Sequence, residues 1–221
     1  MTTRPLNKAR ILCLSGVLLL PIIFAISSAT AQQQPEFLLT WKSDNYAPPA
    51  YQGKILPIDE SKIEVALELI DGGKIASISG HQINWLINND ELKSGVGLKN
   101  ISFPANGRRG DQLVEVTIKN YRGVDLEKRL EIPVANPEIV ISGGPTTFEA
   151  LPYFFNVKNL GELLISWSAN GQRAAGLVDN PTVLELETSQ LPTGSEIVIK
   201  ANASNSKKPT EVANKTIIFK K

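Results

Sequence analysis

Residues 83–103 read Ile-Asn-Trp-Leu-Ile-Asn-Asn-Asp-Glu-Leu-Lys-Ser-Gly-Val-Gly-Leu-Lys-Asn-Ile-Ser-Phe, and this stretch decides the fold. Its first five residues alternate around Trp85 with the period of two that is typical of a β-strand with one buried face. Asn88-Asn89 follows directly, and asparagine tolerates the positive φ that a two-residue hairpin turn requires. After a glycine-containing connection, Ile101 and Phe103 predict a further strand whose side chains point inward.

The same pattern occurs again 82 residues later. Ile165-Ser166-Trp167 repeats Ile83-Asn84-Trp85, and Asn170-Gly171 takes the place of the asparagine pair. The apolar positions that follow keep step with each tryptophan to within three residues. They are Ile101, Val114 and Ile132, at 16, 29 and 47 residues after Trp85, and Leu184, Val198 and Ile217, at 17, 31 and 50 residues after Trp167. The sequence therefore predicts one structural unit used twice.

Alternating apolar runs fill both halves of the chain, and none shows a helical period; Ile63–Leu69 is the most regular of them. Short strands with turn residues about every 8–12 positions, and a tryptophan on an early central strand, are typical of immunoglobulin-like β-sandwiches. We therefore predict an all-β protein with two tandem immunoglobulin-like domains. Trp85 and Trp167 are the predicted structural centres of their two cores.

The predicted domain boundaries follow from the turn residues between the two units. Residues 32–135 form the first predicted sandwich and residues 136–221 the second, with Ala135-Asn136-Pro137 as the linker. The linker is short and contains no Gly/Ser-rich spacer. We therefore expect the two domains to hold a fairly fixed relative orientation.

Residues 1–31 have the pattern of a signal peptide. Arg4, Lys8 and Arg10 form a basic start, Ile11–Ile26 is an almost continuous apolar run, and Ala29-Thr30-Ala31 offers small residues for cleavage. Cleavage after Ala31 would leave a chain that starts at Gln32. The alternative is an uncleaved membrane anchor, although the run is somewhat short for a span of ~20 residues and Pro21 interrupts it. The sequence thus predicts an exported, extracytoplasmic protein of the cell surface or periplasm.

Charge and cysteine content narrow the choice of partners. Residues 1–31 carry three positive charges, so their removal changes the formal net charge from +1 to −2, and nothing points to nucleic acid. Contact with a membrane is expected only through the N-terminal segment, if it is retained. The only cysteine, Cys13, lies within the apolar run, so the processed chain would have no disulfide and would depend on its cores.

The chain resembles the bacterial Ig-like and PKD-like domains that occur in tandem on exported proteins. The Trp-turn-strand unit carries this resemblance, and the stretches Tyr46–Pro57 and Ala150–Phe155 resemble uncharacterised two-domain exported proteins of candidate-phylum bacteria. The resemblance implies no catalytic residues. Trp167-Ser-Ala-Asn-Gly171 departs from the Trp-Asp-Phe-Gly-Asp-type stretch of PKD domains, so Ig-like is the better description.

Two stretches concentrate aromatic residues and proline. Tyr46–Tyr51 contains two prolines between its tyrosines, and Leu151–Phe155 contains Tyr153, Phe154 and Phe155 in sequence. Adjacent side chains of a strand point to opposite faces, so one sheet face cannot bury all three rings. At least one of the rings therefore packs against the other domain or under a loop, or remains exposed for a partner. If these stretches are exposed, the candidate partner surface comprises Tyr46, Tyr51, Tyr153 and Phe154.

Candidate catalytic groups are few. The only histidine, His81, lies in a Gly-His-Gln turn, where a histidine is usually a surface residue. Ser204-Asn-Ser-Lys207 fits Ser-x-x-Lys, but it precedes the last strand and lies outside any predicted helix. We find no metal-ligand motif and no phosphate-binding glycine loop, and therefore predict no enzyme, no catalytic residue and no cofactor.

The sequence favours a non-enzymatic envelope protein whose tandem domains bind other envelope or surface proteins, or act as a structural spacer. The alternative is an accessory subunit of a surface appendage or of an envelope enzyme complex.

Overall fold

The computed structural model describes residues 34–221, which form one compact unit. The predicted signal peptide or anchor lies outside the described residues. Within residues 34–221, no helix is long and apolar enough to cross a membrane. Apart from two short 3-10 turns, at Gly107–Arg109 and Leu160–Glu162, every regular element here is a β-strand.

The first domain contains two antiparallel sheets. In one, β2 (Lys62–Asp71) pairs with β1 (Glu36–Ser43) on one side and with β3 (Lys74–Ala76) and β6 (Asn100–Pro104) on the other. In the other, the strand order is β5 (Asp90–Val96), β4 (Gln82–Ile87), β7 (Gln112–Tyr121) and β8 (Val124–Ile132).

The second domain repeats this arrangement. A three-stranded sheet has the order β13 (Val183–Glu185), β10 (Thr147–Tyr153) and β9 (Glu138–Gly143). A four-stranded sheet has the order β12 (Gln172–Ala174), β11 (Leu163–Ala169), β14 (Glu196–Asn205) and β15 (Val212–Lys220). The chain is therefore all-β, with two tandem immunoglobulin-like sandwiches, as the sequence predicts.

Each domain has its own hydrophobic cluster between its two sheets, and the strand alternation explains both. Along β2 every second residue from Ile63 to Leu69 is at most 1% exposed, because only one face of the strand meets the facing sheet. Along β14 the buried apolar residues are Ile197, Ile199, Ala201 and Ala203.

The two tryptophans occupy the same place in the two sandwiches. Trp85 on β4 is completely buried and Trp167 on β11 is 3% exposed. Each indole Nε1 donates to a backbone carbonyl two residues before a strand of the facing sheet, β6 in the first domain and β13 in the second. The acceptors are the oxygens of Leu98, at 2.9 Å, and Pro181, at 3.0 Å. The ring thus fills the core and also joins the two sheets through its polar end.

The two predicted hairpin turns are present, and both use positive φ. Asn88 and Asn89 have φ of 52° and 68°, and Asn170 and Gly171 have φ of 50° and 78°. The first asparagine of each turn also accepts a hydrogen bond, from the N–H of Leu113 in one domain and from that of Val198 in the other, both at 2.9 Å. The turn therefore fixes the neighbouring strand as well as the hairpin.

One pair of positions matched by interval is offset by one residue in the structure. Spacing aligns Val114 with Val198, but Val114 is completely buried whereas Val198 is 41% exposed. The asparagine contacts show that Leu113 is the counterpart of Val198. The connections of the second domain are longer, so interval counting places the right strand but the wrong face.

Candidate functional site

The two aromatic stretches meet where the domains join. The long loop between β1 and β2 contributes Tyr51, and the end of β10 contributes Tyr153, followed by Phe154. The ring of Tyr51 lies 5.4 Å from that of Tyr153 and 5.8 Å from that of Phe154, both edge-to-face with interplanar angles of 75°. This is a favourable geometry for aromatic pairs.

Backbone hydrogen bonds fasten the same loop to the second domain. The N–H of Tyr46 donates to the carbonyl of Phe155, and the N–H of Phe154 donates to the carbonyl of Tyr46, both at 2.7 Å. These two bonds form an isolated antiparallel bridge between Tyr46 and Phe155. Tyr46 also packs against the hydrophobic cluster of the second domain. A segment of the first domain therefore completes the second.

Phe154 has a φ of 63°, which is unusual for a residue with a large side chain. Its N–H and its carbonyl both bond to the first domain, the carbonyl through the side chain of Asn45 at 2.8 Å. Such a backbone conformation persists only where its surroundings hold it. Here part of that restraint comes from the other domain.

Asn45 is the centre of a buried polar network at the junction, and it is only 4% exposed. Its Nδ2 donates to the Oγ of Ser61 at 2.8 Å as well as to the carbonyl of Phe154, and its Oδ1 accepts from the hydroxyl of Ser43. The Oγ of Ser61 also accepts from the N–H of Ile58 at 2.9 Å. The amide of Asn45 thus joins the loop, the first sheet and the second domain.

Two ion pairs cross the junction at its surface. Lys158 pairs with Asp44, and the Nζ of Lys208 lies 2.8 Å from the carboxylate of Glu60. The hydrogen bond to Glu60 raises the pKa of Lys208 above its usual value. Both pairs are partly exposed, so we expect them to fix register more than to contribute stability.

The four predicted partner residues thus lie together, but largely against each other. Phe154 is 7% exposed, so its ring offers little surface to a partner in this arrangement. Tyr46, Tyr51 and Tyr153 are half-buried. Burial, and secondarily the charge of Glu149, raises the pKa of the Tyr46 phenol. The placement corresponds to the interdomain alternative, with the outer edges of the tyrosine rings still accessible.

A cavity of about 590 Å³ also lies at the junction. It is bordered by the linker, the 3-10 turn at Gly107–Arg109 and the loop before β15. Arg108 and Lys208 line it together with Asp59 and Glu211. Glu211 is 5% exposed, and its Oε1 accepts from the N–H of Asn156 at 2.6 Å. Its Oε2 has no hydrogen-bond partner within residues 34–221.

A second groove of about 770 Å³ lies on the outer face of the first domain's sheet of β1, β2, β3 and β6. Ala66 lies between Thr40 and Asn100 in register, and this small side chain leaves a depression that Leu92 and Lys93 border. Glu64, at the end of the depression, pairs with Lys42 and Lys62. Lys62, followed by Lys42, lowers the pKa of Glu64 to about 2.

The sequence candidates for catalysis are dispersed. His81 is half-buried, its Nδ1 lies 3.2 Å from the carbonyl oxygen of Lys119, and its ring packs on Tyr121. Ser204 lies within β14, whereas Lys207 pairs with Glu162. Among the described residues, no group of three or more His, Cys, Asp or Glu side chains could hold a metal ion.

No protein-family model matches the chain, and no curated protein sequence matches it. Among solved structures, the fibronectin(III)-like modules of Clostridium thermocellum CbhA align over 83% of this chain and 93% of theirs, with 9% identity and a TM-score of 0.29. Immunoglobulin domains 1–4 of Sidekick-1 align over 83% of this chain and 65% of theirs, with 12% identity and a TM-score of 0.27. Immunoglobulin domains 1–5 of Sidekick-1 align over 87% of this chain and 40% of theirs, with 11% identity and a TM-score of 0.28.

Proposed function

We propose that this protein is a non-enzymatic, exported envelope protein whose two sandwiches form a spacer of fixed geometry that binds other surface proteins. The junction supports the spacer role most directly. A flexible tether needs no buried contacts, whereas here a backbone bridge, the Asn45 network and two ion pairs join the domains. Such an arrangement holds whatever binds at one end at a set distance from the other.

The N-terminal sequence supports export. We expect the protein purified from its native envelope to begin at Gln32, because the small residues before it suit signal peptidase. Intact-mass spectrometry of that material checks this. A mass that includes residues 1–31 would favour the uncleaved anchor.

The accessible tyrosine edges are the proposed partner surface, since aromatic side chains often anchor protein interfaces. We expect Tyr51→Ser combined with Tyr153→Ser to weaken capture of partners from the native envelope by about ten-fold or more. Tyr51→Phe with Tyr153→Phe is the matched control, because it keeps both rings. Quantitative pull-down with each full-length variant measures the effect.

Undiminished capture by the serine variant, with an unchanged thermal unfolding profile, would exclude the tyrosines as the partner surface. The accessory-subunit alternative predicts a different set of captured proteins. Under that alternative they are components of one appendage or one enzyme complex, and they remain together through size-exclusion chromatography.

A further inference from the structure

The outer face of the second domain's four-stranded sheet combines exposed aliphatic side chains with unpaired positive charge. Leu164, Val198, Val212 and Ile218 are 63%, 41%, 53% and 59% exposed on this face. Serine, threonine and asparagine side chains lie between them. Its one acidic residue on the described strands, Glu196, pairs with Lys220 at the end of the sheet.

Two cations on this face form no ion pair with any residue in 34–221. Arg173 on β12 and Lys200 on β14 are both exposed and both lie opposite Ser168 of β11, so all three share one row across the sheet. Two strand spacings place the cationic residues about 10 Å apart. Within residues 34–221 neither side chain forms a salt bridge.

The equivalent face of the first domain has the opposite charge. Glu115 pairs with Arg129, and Asp125 with Lys119, each at 2.8 Å. Glu91 on β5, opposite Leu86 of β4, lies on the same outer face and forms no salt bridge with a described residue. The same holds for Glu127 and Glu131 on β8, opposite Thr117 and Leu113 of β7. They are four residues apart on one strand, and so are separated by about 13 Å.

We propose that two copies of this chain associate through their sheets. The outer face of β12, β11, β14 and β15 in one copy binds the outer face of β5, β4, β7 and β8 in the other. Two free cations would then meet two free carboxylates at a comparable spacing that flexible side chains can match. The four aliphatic side chains would be covered at the same time. Complementary charge selects this pairing over a face meeting its own copy, because two like-charged faces repel.

The sheet edges argue for contact through faces. The outer strand β8 places Lys128 opposite buried Val116, and the outer strand β15 places Lys215 opposite buried Ala201. An inward-directed charge on an edge strand is one way in which proteins prevent pairing with another chain. Edge-to-edge addition at these strands is therefore disfavoured.

The size of the contact indicates its strength. Four strands about 4.8 Å apart, with a mean length of about seven to eight residues, present a face of roughly 14 by 25 Å. Two such faces cover about 700 Å² in total, which lies at the low end of weak, transient contacts. We therefore expect association at high local concentration and low salt. The contact goes beyond the proposed partner surface and uses no residue of the junction.

Charge exchange tests the proposal. The full chain, at a protein concentration of about 100 μM, is studied by sedimentation velocity in a neutral detergent. The salt concentration is low, so that exposed charges are little screened. Arg173→Glu/Lys200→Glu and Glu127→Lys/Glu131→Lys should each weaken self-association by about ten-fold, because both faces then have the same sign. An equimolar mixture of the two variants should associate like the parent, because opposite signs meet again.

Lys74→Glu/Lys93→Glu is the matched control, since both residues are exposed and the change in net charge is the same as in the first variant. Its association should equal that of the parent. Every variant retains the N-terminal segment, so any association through that segment is common to all. A monomeric parent, or two charge-reversed variants whose mixture associates no better than either alone, would overturn the proposal.

Discussion

Replacing Trp85 by alanine is expected to lower the free energy of unfolding of the first domain by about 3–5 kcal/mol, the usual cost of truncating a buried aromatic residue. The ring is completely buried, and its Nε1 donates to the carbonyl of Leu98. A domain has only ~5–15 kcal/mol of stability, so this loss removes a large share of it. Calorimetry of the full chain measures it.

The second domain should respond to Trp85→Ala more weakly. Its own cluster is intact, but unfolding of the first domain removes Tyr46 from that cluster and removes the bridge to Phe155. Trp167→Ala should lower the stability of the second domain more than that of the first. Trp85→Phe is the control that keeps most of the apolar volume but loses the N–H donor and part of the ring system. If the unfolding temperatures of both domains fell equally, or if neither changed, the result would contradict separate cores.

Replacing Asn45 by alanine is expected to cost about 2–6 kcal/mol. The carbonyl of Phe154 and the hydroxyl of Ser43 would both lose a buried partner, and each such loss costs ~1–3 kcal/mol. The positive φ of Phe154 would also lose part of its restraint. Chemical denaturation of the full chain measures the effect.

Asn214→Ala is the matched control for Asn45→Ala. Asn214 is exposed on β15, so its removal should change stability by no more than about 0.5 kcal/mol. Equal effects of the two substitutions would mean that the Asn45 network adds nothing to the junction.

The sandwiches could be predicted from sequence because a buried face imposes a period of two along each strand. The tryptophan strands, their asparagine turns and the long strands β2, β7 and β14 all carry that pattern. The short edge strands β3 and β12 do not, because an exposed edge places little constraint on its side chains. The face of Val198 could not be predicted, because interval counting does not fix register.

The junction could be predicted only in part. Three consecutive aromatic residues cannot share one face, which indicates that Tyr153 or Phe154 meets something beyond its own sheet. Nothing in the sequence singles out Asn45 or Ser61, because a polar residue in a loop looks the same whether it is solvated or buried. Their roles depend on a contact between residues 109 positions apart, from Asn45 to Phe154.

The central claim is that the two sandwiches form one spacer of fixed geometry, and a distance distribution between them tests it most directly. Spin labels at Lys74→Cys and Glu185→Cys, in a full chain with Cys13→Ser, report on the two domains in pulsed electron spin resonance at high salt. We expect one narrow distribution in this chain and a broader one after Asn45→Ala. A broad distribution before any change at the junction would contradict the account.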